Sequence, residues 1–331
     1  MKVRPVLLLP VLLVSSCSMS KMALRSDNPE FIGKFIPGVI EKGEKKLAKT
    51  PDDTALALET GSFYVMYANA FVQGPAEMFP VERYEEKEAK LAEAKTLYLK
   101  GVAILDRALE KKYPGFNEIY TVDTEKKVTI LTQMKADDVP FLYWKVGGTL
   151  SAYALNPFDF ELGQKIPVLK AIIDRAYELD SDFNMGAIDD FYVIFYASMP
   201  DALGGDKTKV PEHFRLAVEK SGGQLAGPFV SYAQSVTIPN QDYAAFQENL
   251  GRALAIDVNK DKDNRLVNTI NQRKAQYLLD NAVLFFAEAG GDTDWTDDRE
   301  GSDDEEWFDD EESTNTNLPT ATQLTRMVYS W

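Results

Sequence analysis

The chain has very little of two residues on which much protein chemistry depends. Its 331 residues include a single cysteine, Cys17, and a single histidine, His213. One cysteine excludes a disulfide within the chain and a metal site built from several thiolates. One histidine is too few for a site with several imidazole ligands and leaves little basis for a catalytic triad. Gly-rich phosphate loops, Gly-x-Ser-x-Gly elbows and His-Glu-x-x-His motifs are also lacking. The sequence therefore predicts no catalytic residue and no cofactor.

Long apolar runs are equally scarce. After residue 16, no stretch approaches the roughly 20 apolar residues that cross a bilayer. The first residues combine two basic side chains, an apolar run over 6–14 and two serines before Cys17. This order is typical of an export signal, and the position of the cysteine resembles a bacterial lipobox. We predict a signal peptide over 1–16, lipid attachment at Cys17 and a periplasmic location on an envelope membrane, with the outer membrane favoured. An ordinary signal peptide that contains a cysteine is the alternative.

Basic residues are fewer than acidic ones, and the excess of acidic residues is concentrated near the C-terminal end of the chain. The formal net charge is −16, and residues 290–317 alone hold 13 acidic residues against one arginine. This composition predicts an acidic disordered segment over 290–317, followed by a tail over 318–331. Nucleic acid is not expected as a partner, because phosphate binding requires the opposite charge.

Apolar and polar residues rarely alternate as they do in a β-strand, whereas apolar residues often recur at the spacing of an α-helix. Between residues 90 and 113, apolar side chains recur in steps of three or four along one stripe: Leu91, Ala94, Tyr98, Val102, Leu105 and Leu109. After a tether over 17–29, such stripes and short Pro/Gly turns predict an all-α domain of antiparallel helix hairpins over 30–289. The predicted helices cover 31–49, 53–71, 90–113, 124–135, 139–155, 165–179, 185–198, 211–220, 225–236, 242–256 and 265–288.

A short motif recurs near helix ends. Leu-Asp-Arg-Ala-Leu-Glu at 105–110 is matched by Ile-Asp-Arg-Ala-Tyr-Glu at 173–178, and more weakly at 214–219 and 250–255. A small alanine between larger apolar neighbours lets the next helix approach closely. The pattern is similar to degenerate tetratricopeptide (TPR) repeats, which stack helix pairs into a solenoid or bundle. Coincidence among amphipathic helices is the alternative.

Aromatic residues cluster within the predicted helices. Inner helices of a solenoid often bind ligands, so these clusters predict a ligand or partner groove, although plain core packing would also explain them. The candidate groove residues are Tyr64, Tyr67, Phe71, Tyr143, Trp144, Phe191, Tyr192, Phe195 and Tyr196. The pair Gly147-Gly148 interrupts a helical pattern, and either close helix contact or a kink beside a pocket would account for it.

One segment has the alternating oxygens of a calcium loop: Asp257, Asn259, Asp261 and Asp263. Lys262 stands where the turn glycine belongs, and Asn268 replaces the closing glutamate, so a polar turn is the better interpretation and the metal site only a weak candidate. His213, at a helix start, is expected to be a surface or capping residue.

Several features together resemble the T component of TRAP (tripartite ATP-independent periplasmic) transporters, a family of TPR-like lipoproteins. They are Cys17, the helix–turn segment 47–53, the helix end 103–109, the run 141–144, and the segments 264–268 and 272–275. The resemblance covers about residues 17–288. It implies an all-helical lipoprotein that self-associates, with a trimer as the expected homo-oligomer. It also implies association with a TRAP-type periplasmic substrate-binding protein, and uptake of an apolar or organic-acid ligand without catalysis.

Two other functions remain open on the sequence. A scaffolding envelope lipoprotein would bind cell-wall or outer-membrane components and would have no solute cavity. An all-helical hydrolase would use carboxylates of the turn or tail, although acid–base catalysis requires desolvated carboxylates on rigid elements. An apolar cavity among the helices distinguishes transport from scaffolding.

Overall fold

The computed structural model describes residues 23–290, and this part of the chain is helical without any strand. The predicted all-α fold is thereby confirmed. In chain order the α-helices of six or more residues are α1 (Pro29–Leu47), α2 (Thr54–Tyr67), α3 (Tyr84–Lys112), α4 (Thr124–Thr132), α5 (Val139–Ala154), α6 (Ile166–Leu179), α7 (Phe183–Ser198), α8 (Val210–Lys220), α9 (Gly227–Tyr232), α10 (Tyr243–Leu254) and α11 (Arg265–Asp280).

The predictions for the two ends of the chain lie outside the described residues. They include the signal peptide over 1–16, the lipid site Cys17, most of the tether, the acidic segment and the C-terminal tail. The division of the chain into these segments stays a prediction.

Side-chain caps explain where several helices begin. The side-chain oxygens of Asn28, Asp53, Asp123 and Asp242 each accept a hydrogen bond from a backbone N–H of the following first turn. Such caps satisfy donors that have no partner within the helix. Prolines stand in the first turn of α5, α6 and α8, where a missing N–H does no harm.

Neighbouring helices pack in chain order. Helix α1 packs on α2, α2 on α3, α3 on α5, and α5 on α6, while α7, α8, α9, α10 and α11 continue the arrangement. The alanines of the recurring motif, Ala108, Ala176, Ala217 and Ala253, are all buried, as expected for residues that let helices approach closely. A second apolar cluster, centred on Phe229, Phe246 and Phe286, forms the core of α9–α11.

Helix α11 returns to the beginning of the chain. Arg273 pairs with Glu30 of α1, Lys274 lies 3.2 Å from Glu77 beyond α2, and Arg25 pairs with Asp263 just before α11. Exposed ion pairs such as Arg273–Glu30 contribute little stability. This pair therefore shows that α11 lies next to α1, but it adds little to the stability of the contact. The last helix thus faces the first ones across the centre of the molecule.

Helices α2 and α3 cross at two glycines. A Cβ on Gly101 would lie 2.7 Å from the backbone oxygen of Gly61 and 2.8 Å from Cβ of Tyr64. Backbone cannot move aside as a flexible side chain can, so this crossing requires glycine. The two helices are therefore closer than larger residues would permit.

We expect Gly101→Ala to lower the free energy of unfolding by about 1–3 kcal/mol, because overpacking a tight contact forces backbone shifts. Urea denaturation measures this change. Gly38→Ala is the matched control, since nothing lies within 4 Å of a Cβ at that position of α1. It should be neutral or stabilising by up to about 1 kcal/mol, because alanine favours helix. Equal stabilities of the two variants would contradict the account of the crossing.

Candidate functional site

A cavity of about 390 Å³ lies where the inner faces of the helices meet. Its walls come from α2, α3, α5, α7, α9 and α11, together with the loop that leads into α9. Cavities of this size hold small organic ligands. Helices α2 and α11, which are far apart in the sequence, therefore contribute to one site that neighbouring helices alone would not form.

Two π-helical segments contribute residues to the wall of this cavity. Residues Ala68–Gln73 continue α2, and residues Ala233–Thr237 continue α9. A proline follows each segment closely, Pro75 in one case and Pro239 in the other, and proline cannot continue a regular helical hydrogen-bond ladder. The wider turn brings Asn69, Gln73 and Gln234 to the cavity wall. Such π segments are frequent at functional sites.

One wall of the cavity carries a chain of hydrogen bonds. Lys274 Nζ donates to Glu77 Oε2 at 3.2 Å, and Gln73 Nε2 donates to Glu77 Oε1 at 2.7 Å. Tyr98 completes the chain, because its hydroxyl donates to Gln73 Oε1 at 2.7 Å. Burial raises the pKa of the Tyr98 phenol, so this group stays neutral. The charges of Lys274 and Glu77 compensate each other along this wall.

A single carboxyl group, Asp190 of α7, marks another part of the cavity. Burial raises its pKa to about 6, the neighbouring charge of Asp189 acts in the same direction, and the nearby hydroxyl of Ser231 acts against it. Its Oδ1 atom is buried without a hydrogen-bond partner. Asp190 Oδ2 and Asn271 Nδ2 lie 3.5 and 3.7 Å from the position that a Cβ would occupy on Gly227. Asp190 and Asn271 therefore both lie next to the loop at Gly227, at ordinary contact distance.

Three of the nine predicted groove residues line the cavity: Tyr143, Trp144 and Phe191. Tyr143 and Trp144 are in edge-to-face contact, with ring centroids 5.4 Å apart. Aliphatic side chains such as Val65 and Ile194 extend this apolar surface. The site thus combines aromatic faces with a few polar groups, as small-molecule sites commonly do.

Three further candidates pack between the first helices. The Tyr64 hydroxyl donates to Glu44 Oε1 of α1 at 2.7 Å. Phe71 packs against Gly33 of α1. Tyr67 stacks on Phe71, with ring centroids 6.0 Å apart. None of these three is among the residues that line the cavity. A role for them in binding a ligand or partner stays a prediction.

The remaining three candidates, Tyr192, Phe195 and Tyr196, lie away from the cavity on α7. The Tyr192 hydroxyl donates to Asp174 Oδ1 at 2.6 Å, and Tyr192 stacks on Tyr196 at 5.2 Å. Phe195 is fully buried in the core. Their role as groove residues likewise stays a prediction.

His213 lies in an aromatic cluster, and the expectation of a surface or capping residue was wrong. Its side chain is only 12% exposed and is surrounded by the rings of Tyr177, Tyr192 and Tyr196. Its Nδ1 lies 2.8 Å from Asp189 Oδ1. The histidine therefore belongs to the packing between α7 and α8.

Asp189 is the centre of that packing. It is fully buried, and it accepts from the Tyr177 hydroxyl at 3.1 Å and from Lys220 Nζ at 2.8 Å, in addition to its contact with His213. These bonds tie α7 to α6 and α8. Because Asp189 is held on that side of α7, the next residue, Asp190, is directed to the cavity.

The start of α7 departs from the predicted helix. Asn184, Met185 and Gly186 have φ values of 46°, 61° and 88°, so regular helix begins only after Gly186. Residues other than glycine rarely adopt this left-handed conformation. Asn264 Nδ2 contacts Met185 Sδ at 3.2 Å and holds the turn from the side of α11. All three residues of the turn line the cavity.

The two glycines of the Gly147-Gly148 pair have different roles, one in close helix contact and one beside the cavity. A Cβ on Gly148 would lie 2.8 Å from Val65 Cγ2 and 2.9 Å from Val102 Cγ2, so this glycine permits close helix packing. Gly147 has nothing within 4 Å of its Cβ position and lines the cavity. One glycine therefore serves packing, and the other leaves the cavity open.

The calcium-like segment is a polar turn between α10 and α11. Asp257 Oδ1 and Asp261 Oδ1 accept from backbone N–H groups two residues later, and Asn259 Oδ1 accepts from Arg265. Asp263 pairs with Arg25. Across residues 23–290, no three His, Cys, Asp or Glu side chains are grouped so that they could hold a metal ion.

Comparison with known proteins identifies the family. A sequence model of the TRAP transporter T-component matches residues 25–286. The chain belongs to this family. An uncharacterized protein of Treponema pallidum (strain Nichols) is 29% identical over 276 residues, which are 83% of this chain and 85% of that protein. The resemblance drawn from the sequence is therefore confirmed.

Family membership gives this T component a role associated with TRAP transport, and an envelope location fits that role. The match spans almost all the described helices, so the central cavity lies within the family region. Between residues 23 and 290, no helix has both the length and the apolar character needed to cross a bilayer.

Proposed function

We propose that this T component is a non-enzymatic lipoprotein, anchored through Cys17, that receives small organic ligands in its central cavity. It associates with a TRAP-type periplasmic substrate-binding protein and with copies of itself, with a trimer as the expected homo-oligomer. The ligand then passes toward the membrane permease. The anchor holds the protein on the periplasmic side of an envelope membrane, with the outer membrane favoured.

The observation that carries this proposal is the cavity of about 390 Å³ within the family region. A cavity lined by Tyr143, Trp144 and Phe191 supports ligand handling over a purely scaffolding role. Of the two ligand classes that the family implies, a largely apolar molecule fits better than an organic acid. An added carboxylate would share a poorly solvated space with Asp190, and like charges repel strongly there.

Crosslinking in intact cells tests the partnership. The affinity-tagged full-length chain is crosslinked in its own bacterium, purified under denaturing conditions and analysed by mass spectrometry. We expect specific enrichment of a TRAP-type substrate-binding protein, because the two proteins act on the same ligand. An equally expressed, tagged lipoprotein of another family is the control. Absence of such a binding protein, or equal recovery with the control, would contradict the proposed association.

A further inference from the structure

We propose that the cavity selects ligands with a cationic nitrogen group, such as a primary ammonium, which pairs with Asp190. This inference rests on the proposed function, since it takes the central cavity as the ligand site and defines the chemical class of the ligand. It goes beyond an apolar fit because it assigns the polar end of the ligand to one side chain.

The carboxyl group of Asp190 includes a hydrogen-bond acceptor that is not satisfied. Asp190 lines the cavity, and its Oδ1 atom is buried without a hydrogen-bond partner. A buried acceptor that lacks a donor costs about 1–3 kcal/mol, and native proteins satisfy most such groups. A ligand N–H group that enters the cavity would supply the missing donor. The bond would be charge-assisted, because one partner is a carboxylate and the other an ammonium.

The charges of the side chains that line the cavity do not balance. Three charged side chains line the cavity: Glu77, Lys274 and Asp190. Glu77 and Lys274 form an ion pair, which leaves the charge of Asp190 without a partner among the residues of the wall. A cation would neutralise that charge, whereas an anion would add a second negative charge in a space of low dielectric. The cavity therefore favours a positively charged ligand over a negatively charged one.

Aromatic side chains line the cavity close to Asp190. The charge of Asp190 contributes to the raised pKa of Tyr143, which places this ring near the carboxyl group. Trp144 is in contact with Tyr143, and Phe191 is the next residue to Asp190 on α7. Aromatic faces attract cations through their ring quadrupoles. A carboxylate beside aromatic rings is a combination that recognises an organic cation with an apolar body.

Protonation of Asp190 gives the inference a pH signature. Its pKa of about 6 means that the carboxylate is mostly ionised at pH 7.5 and mostly neutral at pH 5. The groups that face it are uncharged or paired over this range. Tyr143 on α5, Ser231 on α9 and Asn271 on α11 are neutral, and Lys274 pairs with Glu77. Asp189, on the same helix, pairs with Lys220 and His213.

Three probes of equal length test the assignment: octylammonium, octanol and octanoate. Each competes with the neutral fluorophore N-phenyl-1-naphthylamine for the mature full-length chain at pH 7.5. We expect octylammonium to bind at least about tenfold more tightly than octanol, because a favourable buried ion pair contributes more than 1.4 kcal/mol. Octanoate should bind more weakly than octanol. Octylammonium should lose about tenfold in affinity between pH 7.5 and pH 5, as Asp190 becomes protonated.

Asp190→Asn should remove both the preference for octylammonium and its pH dependence, while octanol affinity stays within about twofold and shows an intact cavity. Asp201→Asn makes the same change of charge at an exposed site and should behave as the unmodified protein. A pH dependence that persists in Asp190→Asn would contradict the assignment to Asp190. Equal binding of octylammonium and octanol would overturn this inference but leave the proposed function intact. Failure of the fluorophore and all three probes to bind would instead overturn the proposed function.

Discussion

Replacing Gly147 with phenylalanine should reduce the affinity of the protein for N-phenyl-1-naphthylamine at least about tenfold. Gly147 lines the cavity, and nothing lies within 4 Å of its Cβ position. The Cβ of a larger residue therefore meets no protein atom, and we expect a benzyl group at this position to occupy space that the ligand needs. Titration of the fluorophore into the mature full-length protein measures the change. A tenfold loss corresponds to about 1.4 kcal/mol of binding free energy.

Gly147→Ala is the matched control for this experiment. A methyl group meets no neighbour, so the affinity should change by less than about twofold, and the helix should gain up to about 1 kcal/mol of stability. Thermal unfolding of both variants shows whether the fold is intact. If Gly147→Phe folds normally and binds the fluorophore as tightly as Gly147→Ala, the cavity is not the binding site.

Replacing Asp189 with alanine should lower the free energy of unfolding by about 3–5 kcal/mol. Asp189 is fully buried and accepts from Tyr177 and Lys220, while His213 lies at 2.8 Å. Its removal leaves the largely buried ammonium group of Lys220 without its main counter-charge and removes the contacts that tie α7 to α6 and α8. Urea denaturation at pH 7.5 measures this loss.

Asp182→Ala provides a close comparison because Asp182 also pairs with Lys220, at 3.4 Å, but its side chain is 80% exposed. Exposed pairs contribute less than about 1 kcal/mol, so this variant should remain close to the unmodified protein. Similar losses of stability in both variants would show that Asp189 has no special role in holding α7.

The helical architecture could be predicted because apolar spacing is a local property of the sequence. The stripe over 90–113 corresponds to α3, and the predicted helix over 139–155 corresponds to α5, which ends one residue earlier. Helix α11 ends at Asp280 rather than 288, because Asn281 leaves the helical conformation and short turns follow. Apolar residues in those turns still pack on the core. The spacing of apolar residues alone therefore predicts a helix that is too long.

The cavity could be predicted only in part. Tyr143, Trp144 and Phe191 were recognisable as aromatic residues in helices, but so were Tyr64 and Phe195, which pack elsewhere. The direction in which an aromatic side chain points depends on how distant helices meet. Here the wall is completed by α11, which contacts α1 and the segment after α2 across 243 and 197 residues of sequence. No local pattern carries that information.

Asp190 was missed, although the sequence contains a signal for it. Two adjacent acidic residues, Asp189 and Asp190, stand in a stretch that is otherwise strongly apolar. Acidic residues rarely lie in the apolar core unless they have a partner or a function. The sequence could not show that the two have different surroundings, Asp189 in the α7–α8 packing and Asp190 at the cavity. The left-handed turn at Asn184 and Met185 was equally hidden, since neither residue type requires it.

The most direct test of the central claim is to identify what the protein holds when it is purified from its own envelope. The full-length chain and its Gly147→Ala and Gly147→Phe variants are isolated in parallel, and mass spectrometry of the released small molecules follows. The account predicts a small organic molecule, close to one per chain, in the unmodified protein and in Gly147→Ala, and its loss from Gly147→Phe. The same molecule at equal yield in all three proteins, or none in any of them, would contradict a ligand-carrying cavity.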